Sequence, residues 1–509
     1  MEVYGIDLGT TNSCIAEISE IDNLPVVIKN PESLQTTPSV VYFDDFDSPI
    51  VGGEARSMMN VYPLRTVAFI KREMSNTYYK RTIGERDITP VKISAMILKK
   101  LVSDANLSRS YRNKEPINNV VITVPAYFGN DARALTRQAG EAAGLNVLAL
   151  LNEPTAAALN YGEKELENKT FMVYDLGGGT FDVSIMRRCN GNLETLSTDG
   201  NDHLGGLDWD IALVNHVLKE HCFVSETYDD IKDTSDGIRI LSAAETCKKF
   251  LSENTTSPMK FRYKNRVFTI PIERCTFERI TSHLLLKTLN VVRNAINMST
   301  KKIEKIDEII LVGGSSYMPM VHSTLSVEFP NSVIRIEQFE PDLAVAKGAA
   351  LYAHSIVNKI DKIDNKIWTT KDLASRSYGM ECIDSETEED IIHNLILRSD
   401  PIEYEGSHYF YTHSEGQSSI IANIDENTSN ERKIDLSEGK LIASTNISWG
   451  YEVPKGTPIV LRVKRGRDGI VHIEAECCHK TIHFEITPTN CLSDEEMENL
   501  KNELSTLQL

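Results

Sequence analysis

Two turns of nearly matching composition carry the residues of this 509-residue chain best suited to chemistry: Asp7-Leu8-Gly9-Thr10-Thr11-Asn12 and Asp175-Leu176-Gly177-Gly178-Gly179-Thr180-Phe181-Asp182. Each follows an apolar, strand-like run, Val3 to Ile6 in the first case and Phe171 to Tyr174 in the second. Glycine lacks a Cβ, so such a turn lets backbone N–H groups close on polyphosphate oxygens, and the threonine hydroxyls add donors. A carboxylate leading each turn would repel phosphate unless a hydrated divalent cation or an attacking water stands between them. The duplication therefore points to phosphoryl chemistry on one nucleotide held from two sides.

The elements that must position these turns alternate between strand-like runs and helical stretches from residue 1 to 358, the pattern of an α/β architecture. Val120 to Pro125 reads as a strand feeding a helix from Asn130 to Ala143, in which Leu135, Ala139 and Ala142 share a face. A second helix is expected from Gly237 to Leu251, with Glu245, Lys248 and Ser252 along one stripe and so within reach of one ligand. From 359 to 372 the sequence turns charged and aperiodic, which marks a linker. Short alternating runs follow from 373 to 490: Ser419 to Ile424, Ile459 to Val463, Ile470 to Ala475 and Ile482 to Ile486, with Asp468-Gly469 as a hairpin turn. They read as an all-β module. Ser493-Asp494-Glu495-Glu496 then opens a short helix to Leu509 with a capping box.

Composition narrows the function classes. With 54 Lys+Arg against 73 Asp+Glu, the net charge is -19 and the pI about 5.2, which argues against nucleic acid or an anionic membrane as partner. No apolar run approaches the length of a membrane span and no basic leader precedes the first strand, so cytoplasmic localisation is expected. The nine cysteines are scattered, odd in number and without C-x-x-C spacing, as reduced thiols are. Cys477, in Cys477-Cys478-His479, alternates with Val471, Ile473 and Ala475 as part of one buried strand face, so packing is preferred to metal binding. Cys14, beside the first turn, reads as a packed small side chain, with redox sensitivity as the alternative.

Read in order, further motifs resemble those of the DnaK-type heat-shock protein 70 chaperones. Ile6 to Cys14 and Val173 to Asp182 are similar to the family's two phosphate loops, and Val124 to Phe128 and Asn152 to Ala158 to its central signatures. His203-Leu204-Gly205-Gly206, Leu311 to Ser316 and Pro341-Asp342 complete the set. The resemblance implies an actin-like ATPase domain with duplicated ribonuclease-H-like halves over 1–358 and a linker over 359–372. It further implies a β-sandwich peptide-binding domain over 373–490 and a short helix, a truncated lid, over 491–509.

It also implies roles. Lys71 matches the catalytic lysine, although by composition alone it reads as a surface lysine; Glu153 matches the glutamate near the attacking water, and Thr180 the γ-phosphate contact. Asp7 and Asp175 would hold hydrated Mg²⁺, with K⁺ if the family pattern carries over. ATP or ADP would lie against Gly9, Thr10, Thr11, Asn12, Gly177, Gly178, Gly179, Gly205, Gly206, Gly313, Gly314, Ser315 and Asp342. Glu245, Lys248 and Ser252 match adenosine contacts, the alternative being a helical salt-bridge face. Pro125 and Arg133 match the interdomain relay, and Met380, Ile383, Phe410, Ile420 and Ala422 the peptide cleft. Unfolded peptide clients, a J-domain co-chaperone and a nucleotide exchange factor are the implied partners.

Three departures bear on what kind of member this is. Tyr317 stands where the family stacks an arginine on adenine, so weaker ATP binding is expected; Leu207 stands where an acidic residue is usual. Trp368-Thr369-Thr370-Lys371 replaces a docking run of leucines, which puts interdomain coupling in doubt. The expected function is an ATP-dependent chaperone. The alternatives are a non-cycling relative that acts as a nucleotide-gated binding module or exchange factor, and an actin-like small-molecule kinase.

Overall fold

Two sheets with one strand plan present the two turns. The computed structural model describes residues 2–507 apart from 45, 47, 77, 111–113, 162–167, 190–191, 223–224, 300, 337–339, 359–369, 467–470, 479 and 487–490. The first sheet contains β1 (Tyr4–Asp7), β2 (Asn12–Ile18), β3 (Pro25–Val27), β4 (Asn119–Val124) and β5 (Asn146–Asn152), in the order β5-β4-β1-β2-β3. β1 to β3 form an antiparallel meander, β4 runs parallel to β1, and β5 runs parallel to β4. The second sheet repeats this with β6 (Thr170–Leu176), β7 (Phe181–Cys189), β8 (Asn192–Asn201), β9 (Glu308–Val312) and β10 (Val333–Arg335). Its order, β10-β9-β6-β7-β8, and its strand directions match those of the first. Each phosphate-loop candidate is thus the hairpin between the first two strands of its sheet, and Asp7 pairs with Cys14 as Asp175 does with Asp182.

Helices cover these sheets, which is why a strand such as β6 is buried along its whole length rather than alternating. α1 (Pro90–Ser110) and α2 (Asn130–Ala142) pack on the first sheet, and α2 buries Leu135, Ala139 and Ala142 as its periodicity predicts. Between the sheets lie α3 (Glu153–Tyr161) and α6 (Ala344–Asn358), where Ala156, Ala157 and Ala158 share a core with Val345, Ala349 and Ala353. Small side chains let these two helices approach closely. In the second half, α4 (Gly206–Glu220) and α5 (Ser235–Glu253) pack around the buried Trp209. Thr234 caps α5 by accepting the Gly237 N–H at 3.1 Å.

After residue 373 the chain forms two packed antiparallel sheets. One contains β12 (Ser377–Ile383), β13 (Asp390–Ile396), β15 (Gln417–Asn427), β16 (Lys433–Asp435) and β17 (Lys440–Val453). The other contains β14 (Tyr404–Tyr411), β18 (Pro458–Arg465), β19 (Val471–Cys477) and β20 (Lys480–Glu485). Their inner faces meet around Trp449, whose Nε1–H donates to the Gln417 carbonyl at 3.1 Å, and Cys477 lies in the same core. The expected Asp468-Gly469 turn lies outside the described residues, although β18 and β19 pair antiparallel on either side of it.

Most of the expected linker also lies outside them, but its end does not read as an aperiodic tether. β11 (Thr370–Lys371) adds as a parallel edge strand to Leu193 and Glu194 of β8. Strand pairing uses backbone groups, so the missing leucines do not prevent it. The capping box at Ser493 and Glu496 starts α7 (Asp494–Thr506), which seats Leu500 and Leu504 among apolar residues of α1 and α2. Among the described residues no helix is long and apolar enough to cross a membrane.

A Cβ on Gly348 of α6 would fall on the backbone carbonyl of Ala156 in α3. Gly348→Ala is therefore expected to destabilise the fold by about 1–3 kcal/mol through overpacking, read as a lower midpoint in urea unfolding. An unchanged midpoint would contradict the close helix crossing.

Candidate nucleotide site and the interface beside it

The first hairpin carries Gly9, Thr10, Thr11 and Asn12 to a cleft of about 1230 Å³ that Gly177, Gly178 and Thr180 also line. A Cβ on Gly178 would fall on the Thr11 hydroxyl, and one on Gly179 would stand 2.7 Å from the Thr10 methyl, so the two turns face each other closely. Ser13 and Ser39, which sequence reasoning missed, brace the first turn. The Gly9 N–H donates to Ser13 Oγ at 3.2 Å, and Ser39 Oγ donates to the Gly9 carbonyl at 2.8 Å. Gly205 and Gly206 buttress the second turn from behind: the Gly206 N–H bonds the Gly177 carbonyl at 2.9 Å, and the Leu207 N–H bonds that of Gly178 at 2.8 Å. The Leu207 side chain packs against the apolar core of the second half. Gly313, at φ +79°, turns the chain so that Gly314 and Ser315 reach the cleft, a conformation other residues rarely adopt.

The cleft floor holds the charges. Lys71, on a short turn entered through left-handed Phe69, places Nζ 2.5 Å from Glu153 Oε1, and both side chains are buried. Thr123 Oγ1 donates to Asp7 at 3.2 Å, and the Tyr127 N–H donates to Asp182 at 2.9 Å. Burial and the Glu153 charge raise Asp7 to about 7. The same two causes raise Asp182 to about 7 against the Tyr127 N–H, and Asp175 rises as well. Burial pulls Lys71 down, but Glu153, Asp7 and Asp175 outweigh it and hold its pKa above the ordinary value. Four carboxyl groups around one ammonium leave a deficit of positive charge. Once ionised, these oxygen donors fit a hydrated Mg²⁺.

Glu245, Lys248 and Ser252 line the cleft from α5, and Tyr317 and Asp342 line it as well. Lys248 is not free: its Nζ donates to Asp210 and to the Gly206 carbonyl, each at 2.7 Å, and so ties α5 to α4. Burial raises Asp210 to about 7 despite that partner. Glu245 bonds Arg56 at 2.6 Å and Lys249 at 2.7 Å; although burial opposes them, these cations hold its pKa at about 2. Arg56 comes from the first half of the chain, so this pair joins the two halves beside the cleft, which no local sequence pattern announces.

The expected relay residues gather next to Glu153. Asn152 Nδ2 and Thr155 Oγ1 donate to Asp372 at 2.8 and 2.7 Å, and Thr195 Oγ1 donates to it at 3.0 Å. Asn152 Oδ1 accepts from Arg133, whose Nε donates to the Phe128 carbonyl at 3.0 Å, in the turn that Pro125 begins. The sandwich sits against this region. Glu426 accepts the Asn130 N–H at 2.8 Å at the α2 N-terminus, Lys440 meets Asp131 at 3.2 Å, and Arg398 meets Asp199 at 3.3 Å.

The expected peptide-cleft residues do not form one exposed set. Met380 and Ala422 lie in the sandwich core, Phe410 and Ile420 are half-buried against it, and Ile383 stands apart, 43% exposed. His393 packs edge-on against Phe410 with ring centroids 5.4 Å apart.

A family model described as Hsp70 protein matches residues 3–508.

Because the Arg56–Glu245 pair is partly exposed, its contribution is about 1 kcal/mol at most. Arg56→Ala is expected to speed nucleotide release by up to about fivefold in stopped-flow displacement; slower release would contradict a clasp. A second expectation concerns pH. Burial raises Glu426 and Asp372 above the usual carboxylate range. A carboxyl whose pKa rises on docking favours the docked arrangement at low pH and loses that contribution as pH climbs through the raised value. Small-angle scattering should therefore show the radius of gyration growing as pH rises through the raised values; a shrinking radius would reverse the assignment.

Proposed function

The chain belongs to the Hsp70 family, and on that premise we propose that it is an ATP-hydrolysing chaperone whose nucleotide state sets the grip of the sandwich on unfolded, apolar peptide segments. The observation that carries this reading is the pair of facing glycine turns over the Lys71–Glu153 pair, with Asn152, the neighbour of Glu153, bonded to Asp372 at the entry to the sandwich.

In the proposed reaction a water oxygen bonds the γ-phosphorus while the bond to the β–γ bridging oxygen breaks, leaving ADP and inorganic phosphate. Glu153 orients that water and accepts its proton. The Lys71 ammonium stabilises charge on the transferring group, and Thr180 donates to a γ-oxygen. Asp7 and Asp175 would hold Mg²⁺ through water, and the ion would supply positive charge against the phosphates. Tyr317 offers the adenine a ring face without a positive charge. As Hsp70 proteins generally work with co-chaperones, a J-domain protein and an exchange factor are the proposed partners, and Ile383, Phe410 and Ile420 are the proposed peptide-side residues, with Met380 and Ala422 packed in the core beneath them. The tyrosine at 317, in place of the arginine, favours the second reading, a non-cycling relative that acts as a nucleotide-gated binding module or exchange factor.

The test measures release of a fluorescent apolar peptide with and without ATP, in the wild type and in Lys71→Ala. ATP is expected to speed release in both, while Lys71→Ala lowers turnover by about 10²-fold or more with ADP binding retained. Unchanged turnover would remove the assigned mechanism, and ATP-insensitive release would remove the coupled chaperone.

A further inference from the structure

Arg376, the residue before β12, reaches from the sandwich region onto the turn between β4 and α2. Its guanidinium carbon stands 3.9 Å over the Tyr127 ring, and its Nη1 donates to the Tyr127 hydroxyl at 3.2 Å. Next to it, Ser375 Oγ donates to the Phe128 carbonyl at 3.4 Å, so two consecutive residues hold the same turn. The other side of that turn faces the reaction centre. The Tyr127 N–H holds Asp182 Oδ1 at 2.9 Å, and Asp182 feels the Glu153 charge. Packing leaves Tyr127 little slack: a Cβ on Gly200 would stand 2.7 Å from the Tyr127 Cβ and 3.0 Å from Asp182 Oδ1.

We propose that Arg376 is a positioning residue for ATP hydrolysis, acting through Tyr127 on Asp182, so that the position of the sandwich is felt at the catalytic carboxylates. The inference rests on the ATPase reading. A guanidinium can do this because its plane stacks on the ring while its N–H edge reaches the hydroxyl; an ammonium cannot do both. When β12 moves away with the sandwich, Arg376 leaves with it, and the turn loses the contact that fixes the direction of the Tyr127 N–H. This gives a side-chain route between the two regions beside the strand pairing of β11, in a chain whose linker lacks leucines.

Two measurements on the full chain test it. The first is the ratio of single-turnover ATP hydrolysis with and without a saturating apolar peptide. Arg376→Ala should bring that ratio to within about twofold of unity, Arg376→Lys should give an intermediate value, and Tyr127→Phe should keep most of the wild-type ratio. Arg376→Ala and Tyr127→Ala should be non-additive when combined. The second is hydrogen exchange at the Tyr127 amide, expected to quicken at least about tenfold in Arg376→Ala while the β4 amides keep their rates. A full wild-type ratio in Arg376→Ala, additive losses, or unchanged exchange at Tyr127 each overturn the proposal. If the wild type hydrolyses no ATP, the proposed function falls, and the exchange measurement still decides whether Arg376 pins the turn.

Discussion

The charge imbalance at the cleft floor constrains everything around it. Asp7, Glu153, Asp175 and Asp182 crowd one ammonium, and burial together with mutual repulsion pushes three of the four toward their protonated forms. Such a cluster is tolerable only where the backbone is held against relaxation. The structure does this by placing each leading aspartate at the end of a strand, registered against a neighbour, and by wedging α3 and α6 between the two sheets. In the proposed function, the cation that accompanies a bound polyphosphate would offset the imbalance locally.

Much of this was legible in the sequence because backbone approach leaves a residue-type signature. A turn that must close on another turn excludes side chains, and the glycines and threonines at 9–11 and 177–180 say so directly. The helical stripe of Glu245, Lys248 and Ser252 was readable for a similar reason, since helical spacing is local. Ser39, Arg56 and Arg376 were not readable. Each acts on a partner tens to hundreds of residues away, and a serine or arginine in isolation carries no mark of that. For the peptide-side residues, alternation gives the face of a strand but not whether that face is core or cleft, and Met380 and Ala422 lie in the core.

At the end of the linker the chain pairs through its backbone rather than its side chains. Losing the leucines removes side-chain docking but leaves backbone pairing available, and Thr370–Lys371 uses it. Around that short strand the sandwich is held by charged and polar contacts, Glu426 to the α2 N-terminus, Lys440 to Asp131 and Arg398 to Asp199. An interface of this kind responds to ionic strength and pH more than one built on aliphatic packing does.

The seat of α7 has a consequence of its own. Leu500 and Leu504 spend their apolar face on α1 and α2, Glu503 meets Arg86 and Lys92, and Lys99 reaches the carbonyls that close the helix. One short amphipathic helix has a single oily side, so it can shelter α1 and α2 or something else, but never both at once. Whatever draws it away must compete with two buried leucines, and its departure would uncover a fresh greasy strip on α1 and α2.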